Sequence, residues 1–185
     1  MPRAVRLVPP SVTRYAQYLD CVSDFAGTAI DGSGIRDPQQ PPVTEGDVID
    51  VVTARLAEED PATELAEGWV HCTSRWIIDA ETDEMLGFLA IRHRLTPSLL
   101  EQGGHIGYSV RPAARRQGIA SRALDLALVE AELLGIGPVL VTCDEDNLGS
   151  RRTIENAGGQ LEDIRDGKRR YWISDGNGDG PCSRA

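Results

Sequence analysis

Apolar positions recur along this chain with two different periods, and these periods predict its strands and helices. Segments in which apolar residues alternate with polar ones, or follow one another in a short run, are predicted as strands at 4–8, 69–78, 85–95, 105–110, 139–143, 160–164 and 169–173. Helical spacing, with apolar residues three and four positions apart, predicts helices at 12–25, 44–59 and 119–134. A fourth helix is predicted from Asn147 to Gly158-Gly159.

Local signals refine the boundaries of these elements. Thr44 and Asp47 have the spacing of a capping box, which predicts the start of the second helix. Pro97 predicts a single helical turn at 96–101, because proline favours the first position of a helix. The stretch 27–42 is rich in Gly, Pro, Asp and Gln without an apolar period, so it is predicted to be a loop.

The segment 103–159 is the part of the chain around which the rest is organised. A strand at 105–110 is ended by Pro112, a basic turn containing Gly118 follows, and a helix then begins at Ile119. A helix start presents unpaired backbone N–H groups and the positive end of the helix dipole, both of which favour a bound phosphate. Gly118 would let that phosphate approach the backbone closely, because glycine has no Cβ.

Charge sharpens this picture. The 185-residue chain has a formal net charge of −10, which argues against non-specific nucleic-acid binding. Four arginines nevertheless fall within twelve residues around the central turn, without an acid among them, and predict a local basic site: Arg111, Arg115, Arg116 and Arg122.

Length and cysteine usage bound the class of protein. Residues 1–174 are predicted to form a single domain, and residues 175–185 a disordered tail. The four cysteines include no C-x-x-C pair, so neither a zinc site nor a disulfide framework is expected. No apolar run approaches the length of a membrane span. We therefore expect a cytoplasmic protein that requires no metal and does not associate with membranes.

Two motifs resemble those of a known family. Arg115-x-x-Gly118-x-Ala120 resembles the acetyl-CoA pyrophosphate signature of the GNAT N-acetyltransferases, and Asn147-x-x-Ser150 resembles the helix start that follows their fifth strand. The run 103–112 is also similar to that of a bacterial group of predicted acetyltransferases. The resemblance implies the GNAT fold, an α/β (α+β) architecture. It has a mixed, mostly antiparallel sheet with helices on both faces, and its fourth and fifth strands splay apart.

The resemblance also implies how acetyl-CoA would bind. Backbone N–H groups of Ser109 and Val110 would hold the thioester carbonyl and the pantetheine amides, and Asn147 and Ser150 would lie against the pantetheine arm. The pyrophosphate would be bound by the residues of the central turn and the first turn of the helix after it: Arg115, Arg116, Gln117, Gly118, Ile119, Ala120 and Ser121.

The proton donor is where the sequence departs from the family pattern. Many members have a tyrosine seven residues after the helix-opening asparagine, and here that position is Ile154. Tyr108 and Cys143 would lie near the thioester, which makes Tyr108 the first candidate for the acid and Cys143 a weaker one. Either residue could instead belong to the core.

Two histidines are candidates for the base. His105 opens the central strand and His93 lies on the adjoining strand, and histidine titrates near neutral pH. Asp144 and Glu145 are weaker candidates. Each histidine could instead be a hydrogen-bonded structural residue, because a base is judged by geometry first.

The expected activity is transfer of an acetyl group from acetyl-CoA to a primary amine, by direct attack in a ternary complex. The acceptor would be a small-molecule or peptide amine, and the acidic composition suits a cationic one. By analogy with the family, the first two helices and the loop 27–42 between them form one wall of the acceptor site, although the loop could simply be a flexible connector. The alternative is a CoA-binding regulatory or scaffold protein without turnover. A homodimer is the family's common habit.

Overall fold

The computed structural model describes residues 3–174 and shows the predicted order of elements. The strands are β1 Val5–Val8, β2 Cys72–Asp79, β3 Met85–Arg92, β4 Ile106–Val110, β5 Val139–Asp144, β6 Gln160–Arg165 and β7 Lys168–Ile173. The helices are α1 Tyr15–Ser23, α2 Glu45–Glu59, α3 Ile119–Leu133 and α4 Leu148–Asn156. A 3-10 turn, Val12–Arg14, precedes α1. The predicted tail, 175–185, lies outside the described residues.

All seven strands form one sheet, in the order β1-β2-β3-β4-β5-β7-β6. Neighbouring strands are antiparallel except β4 and β5, which are parallel and share one register pair, Ile106 with Val141. Within residues 3–174 no second pair joins these two strands, so they separate towards their carboxyl ends. The prediction of a mixed, mostly antiparallel sheet with splayed central strands is confirmed.

Each face of the sheet carries its own apolar cluster. On one face α3 and α4 pack against β4, β5 and β7, and α3 buries Ile119, Ala123 and Ala127 completely or nearly so. On the other face α1 and α2 cover β2 and β3, where the ring of Tyr18 lies 5.3 Å from that of Trp76. Full burial of one large apolar side chain contributes about 1.5–3 kcal/mol. These clusters therefore hold β4 and β5 in the middle of the domain.

The start of α2 confirms the predicted capping box. Asp47 N donates to Thr44 Oγ1 at 3.1 Å, and Thr44 N donates to Asp47 Oδ2 at 2.9 Å. Two backbone donors at the helix start, Thr44 N and Asp47 N, are thus satisfied within the protein.

The connection between β3 and β4 contains the predicted helical turn, which begins at Pro97 and is closed by a 2.8 Å bond from Leu100 N to Thr96 O. The turn extends further than predicted, because it continues as a π-helical turn over Leu99–Gly103, closed by a 2.6 Å bond from Gly104 N to Leu99 O. Gly104 has a φ of 64°, and a Cβ there would lie 2.6 Å from Leu140 O. Only glycine permits the chain to approach β5 this closely, so the position of Gly104 determines where the turn ends. The buried Arg170 of β7 donates to Leu100 O at 2.9 Å, which holds the turn against β7.

Within residues 3–174, no helix has the length and apolar character that a membrane crossing requires.

Candidate active site

The start of α3 is open to a ligand. Gly118 occupies the N-cap position with a φ of 76°, no side chain caps the helix among the described residues, and its first turn contains no acid. The residues from Arg115 to Gly118 are all exposed. The first N–H groups of α3 and the positive end of its dipole therefore face solvent, as an anion requires.

The two arginines of the motif have different roles in this turn. Arg115 Nε donates to Val110 O at 3.0 Å, and its guanidinium lies 5.9 Å from the ring of Phe25. Arg115 thus ties the turn to the end of β4 and to the segment after α1. Arg116 has a left-handed backbone with a φ of 64° and an exposed side chain. The position of Arg116 leaves its charge available at the surface of the turn.

Arg111 does not belong to the basic site, so the prediction was wrong for this residue. Its side chain is buried and contacts Asp24 at 2.6 Å, Asp20 at 2.9 Å and Glu84 at 3.5 Å. Burial lowers the pKa of the guanidinium, but the contacts with Asp24 and Asp20 outweigh this effect and raise it. Arg111 thus attaches the beginning of the 111–118 turn to α1 and the residue after it, and its charge is neutralised within the protein.

A polar contact crosses the gap between β4 and α4. The Tyr108 hydroxyl lies 2.9 Å from Ser150 Oγ, and Ser150 N donates to Asn147 Oδ1 at 3.0 Å. Burial raises the pKa of Tyr108 to about 12, so its hydroxyl is protonated at neutral pH. The structure therefore brings three predicted site residues together, in a form that can donate a proton.

The other candidates on this face are less suited to proton transfer. Cys143 is buried, and burial raises the pKa of its thiol. Ile154 is fully buried in the α3 cluster, so that position carries no acid.

His105 joins β4 to β5. The ring Nδ1 accepts a hydrogen bond from Leu140 N at 2.9 Å, and the backbone N–H of His105 donates to Leu140 O at 2.7 Å. Burial, followed by the charge of Arg92, lowers the pKa of the ring to about 4. A neutral ring that accepts at Nδ1 carries its proton on Nε2, so taking up a second proton would break the bond to Leu140. This geometry argues against a role as base and favours a structural one.

The remaining candidate bases lie apart from His105. The Nε2 atom of His93 is 2.9 Å from Thr73 Oγ1 of β2, and burial, then the charge of His71, lowers the pKa of His93. Asp144 pairs with Lys168 at the end of β5. Together with Glu145, Asp144 lines an open acidic depression beside the β6–β7 turn. The contacts of His93 are with β2, not with the gap between β4 and β5.

The loop 27–42 lies on the opposite face of the sheet from α3. A Cβ at Gly32 would be 2.5 Å from Gly107 O, so the loop rests directly on β4. Gln39 Nε2 donates to Gly27 O at 3.0 Å, and the guanidinium of Arg36 lies 4.3 Å from the Trp69 ring. These contacts anchor the loop. No signal in the sequence pointed to the pairing of Gly32 with Gly107.

Among residues 3–174 no group of three or more His, Cys, Asp or Glu side chains is arranged to hold a metal ion.

Comparison with known proteins bears on this site. Residues 11–160 match the model of a family described as an acetyltransferase (GNAT) domain. No curated protein matches the chain. A GNAT-family acetyltransferase structure from Bacillus anthracis is 16% identical, covers 94% of this chain and 96% of its own, and has a TM-score of 0.61.

Two further solved structures were determined with bound ligands. The microcin C7 self-immunity acetyltransferase MccE, in complex with acetyl-CoA and AMP, is 14% identical over 92% of both chains, with a TM-score of 0.65. The ribosomal L7/L12 alpha-N-protein acetyltransferase RimL, in complex with coenzyme A, is 16% identical over 92% of this chain and 93% of its own, also with a TM-score of 0.65. At these identities the likeness shows a shared fold.

Proposed function

The chain belongs to the GNAT acetyltransferase family, and from this premise we propose that it transfers an acetyl group from acetyl-CoA to a primary amine by direct attack in a ternary complex. The observation that carries the proposal is the uncapped start of α3, placed where β4 and β5 separate. The complexes of MccE with acetyl-CoA and of RimL with coenzyme A support the same donor.

The cofactor would approach from the side of α3 and α4. The turn 115–118 and the first turn of α3 would bind the pyrophosphate, since helix starts favour anions. The pantetheine arm would pass between β4 and β5, beside Asn147 and Ser150. Ser109 and Val110 lie on β4 beyond its last pair with β5. The antiparallel ladder, in which Arg111 N donates to Leu86 O, turns the Ser109 N–H towards β3 and the Val110 N–H away from it. This geometry supports the predicted role of Val110 as a donor to the thioester carbonyl.

The acceptor amine would reach the thioester from the α1/α2 face. Its nitrogen attacks the carbonyl carbon, a C–N bond forms, and the C–S bond breaks as the tetrahedral intermediate collapses. Tyr108 then donates its proton to the departing thiolate, while the new amide nitrogen releases one proton to water. Tyr108 regains a proton from solvent, so protons balance over one turnover.

We propose no dedicated protein base. The contacts of His105 and His93 give neither histidine a direct role at the thioester, so the amine would attack in its neutral form after losing a proton to solvent. The rate should therefore rise with pH until it passes the acceptor amine's own pKa.

The first experiment measures thiol release from saturating acetyl-CoA in the presence of pooled primary amines. Release that depends on one pool supports an N-acetyltransferase and begins to identify its acceptor. If coenzyme A binds in calorimetry while no pool stimulates release, the regulatory or scaffold alternative replaces this proposal.

A second experiment tests the acid. Tyr108→Phe should lower kcat about 100-fold, at the lower end for a general acid because a thiolate leaves readily, without changing coenzyme A affinity. Tyr15→Phe, at an exposed position on α1, is the matched control and should leave kcat unchanged. An unaltered kcat in Tyr108→Phe would remove Tyr108 from the mechanism.

A further inference from the structure

Arg92, at the end of β3, has a half-buried charge without a carboxylate partner in the described part of the chain. Nη1 of Arg92 donates to two backbone carbonyls, Gly103 O at 3.0 Å and Gly104 O at 3.1 Å. Four other arginines with little exposed side chain contact acids in this acidic protein, although the half-buried Arg169 contacts none among the described residues: Arg55 with Glu58, Arg75 with Glu59, Arg111 with Asp24, and Arg170 with Asp163. An uncompensated charge in such a position is costly unless a ligand supplies its partner.

A second donor converges with Arg92 on the same point. A Cβ at Gly107 would lie 3.4 Å from Arg92 Nη2 and 3.5 Å from Gly32 N. Neither of these nitrogens donates to an acceptor within residues 3–174. Because Gly107 has no side chain, an oxygen atom that approaches its Cα to van der Waals distance on this side would have both nitrogens nearby and could accept from both.

This point lies on the acceptor side of the sheet. Gly107 belongs to β4 and faces the loop 27–42, whereas Tyr108 faces α4. The two donors therefore lie on the opposite face from the proposed binding site for coenzyme A.

We propose that Arg92 Nη2 and Gly32 N–H bind a carboxylate of the acceptor, which makes Arg92 a specificity-determining residue. A guanidinium and a carboxylate form a charge-assisted contact, stronger than one between neutral groups. The inference rests on the proposed function, because it takes Ser109 and Val110 as the position of the thioester.

The spacing along β4 limits the length of the acceptor. Gly107 and Ser109 are two residues apart on one strand, which corresponds to about 7 Å. A carboxylate at Gly107 would thus be separated from the reacting amine by a chain of several carbons. The acceptor class is an ω-amino acid, or a larger molecule that presents an amine and a carboxylate at that spacing, and not a simple α-amino acid.

The test compares matched amines in the thiol-release assay. The probes 4-aminobutyrate and 5-aminopentanoate carry a carboxylate, butylamine and pentylamine do not, and glycine carries one too close to its amine. The ω-amino acids should have KM values at least tenfold below those of the alkylamines and of glycine. Alkylamines or glycine of equal KM would overturn the proposal.

Two variants separate recognition from support of the fold. Arg92→Gln should raise the KM of the ω-amino acids at least tenfold, with the KM of alkylamines, kcat and coenzyme A affinity unchanged. Arg94→Gln, at an exposed position two residues further on, is the matched control and should change none of these. An equal loss for both classes of amine in Arg92→Gln would show that Arg92 only holds the 99–103 turn.

A binding measurement distinguishes failure of this inference from failure of the proposed function. N-acetyl-4-aminobutyrate and N-butylacetamide are titrated into protein saturated with coenzyme A. Binding of the first alone, lost in Arg92→Gln, supports the carboxylate site even if no amine turns over. Equal binding of both, or binding of neither, overturns the site whether or not the protein is an active N-acetyltransferase.

Discussion

The two ends of β4 differ in whether the protein itself satisfies the backbone N–H donors there. At the amino end, the chain satisfies its own donors: His105 N donates to Leu140 O, and Leu140 N donates to the His105 ring. At the carboxyl end, the strand leads into an exposed turn and a helix whose start has no capping side chain among the described residues. Backbone donors that the protein satisfies and a helix start that it leaves uncapped thus lie at opposite ends of one five-residue strand.

This difference explains how the sheet can open without losing its order. Two parallel strands that separate give up ladder hydrogen bonds, and the unpaired groups then need other partners. At the closed end β4 and β5 are held by Ile106 pairing with Val141 and by the His105 contacts, so the separation is confined to the other end. A ligand can then satisfy the donors that the protein leaves free.

The largest expected effect is on coenzyme A affinity and comes from a substitution that blocks the exposed start of α3. Gly118→Glu places a carboxylate and a Cβ where the phosphates would bind, at a φ of 76° that disfavours any side chain. Coenzyme A affinity measured by calorimetry should fall about 100-fold or more, because each contact to a charged group contributes about 1.5–3 kcal/mol.

Gly46→Glu is the control for this variant. It adds the same exposed carboxylate to the first turn of α2, where the backbone is not left-handed. Coenzyme A affinity should be unchanged. A folded Gly118→Glu protein that binds as tightly as Gly46→Glu would place the anion site elsewhere.

His105, at the amino end of β4, should make the free energy of unfolding depend on pH. The folded pKa of His105, about 4, lies below the ordinary value of 6.5. Between these values the unfolded chain binds a proton that the folded protein does not, so stability is lost as pH falls from about 6.5 to about 4. The contribution amounts to about 3 kcal/mol over that window.

Urea unfolding at pH 7 and at pH 4 measures this loss in the protein and in His105→Asn. Asparagine can still accept from Leu140 N but does not titrate in this range. The variant should therefore lose about 3 kcal/mol less than the parent protein on acidification. Identical losses would mean that His105 does not oppose protonation in the fold.

An acid in the first turn of α3 should have two smaller effects of opposite sign, one on stability and one on coenzyme A affinity. Ser121→Asp should stabilise the free protein by about 0.5 kcal/mol through the helix dipole. The same charge should weaken coenzyme A binding about tenfold, because it competes with the pyrophosphate for the helix start.

Val129→Asp is the control on the same helix, at an exposed position about 12 Å further along. That distance exceeds the range of unscreened interaction at physiological salt, so affinity should not change. Equal weakening in both variants would indicate a general charge effect instead of a site at the helix start.

The smallest expected effect is at α2, whose start is capped by the protein itself. Thr44→Ala removes the acceptor of the Asp47 N–H and should cost about 1 kcal/mol in urea unfolding. Coenzyme A affinity should be unchanged. Thr53→Ala, exposed in the middle of the same helix, should alter stability by less than about 0.5 kcal/mol. A change in coenzyme A affinity in Thr44→Ala would contradict the contrast between capped and open helix starts.

Features that depend on neighbouring residues were predicted correctly from the sequence. The order of strands and helices, the Thr44–Asp47 capping box and the glycine turn before Ile119 all follow from spacings of a few residues. These spacings determine backbone geometry and helix ends directly, so the chain alone indicates them. The family signature lies within the same local segment.

Features that depend on distant contacts were decided only by the tertiary structure. Arg111 was wrongly placed in the basic site because its partner Asp24 is 87 positions away. The contact of Gly32 with Gly107 and the bond of His105 to Leu140 likewise join segments separated by many residues. Burial and partners set the charge state of each polar side chain, and both arise only when these segments pack together.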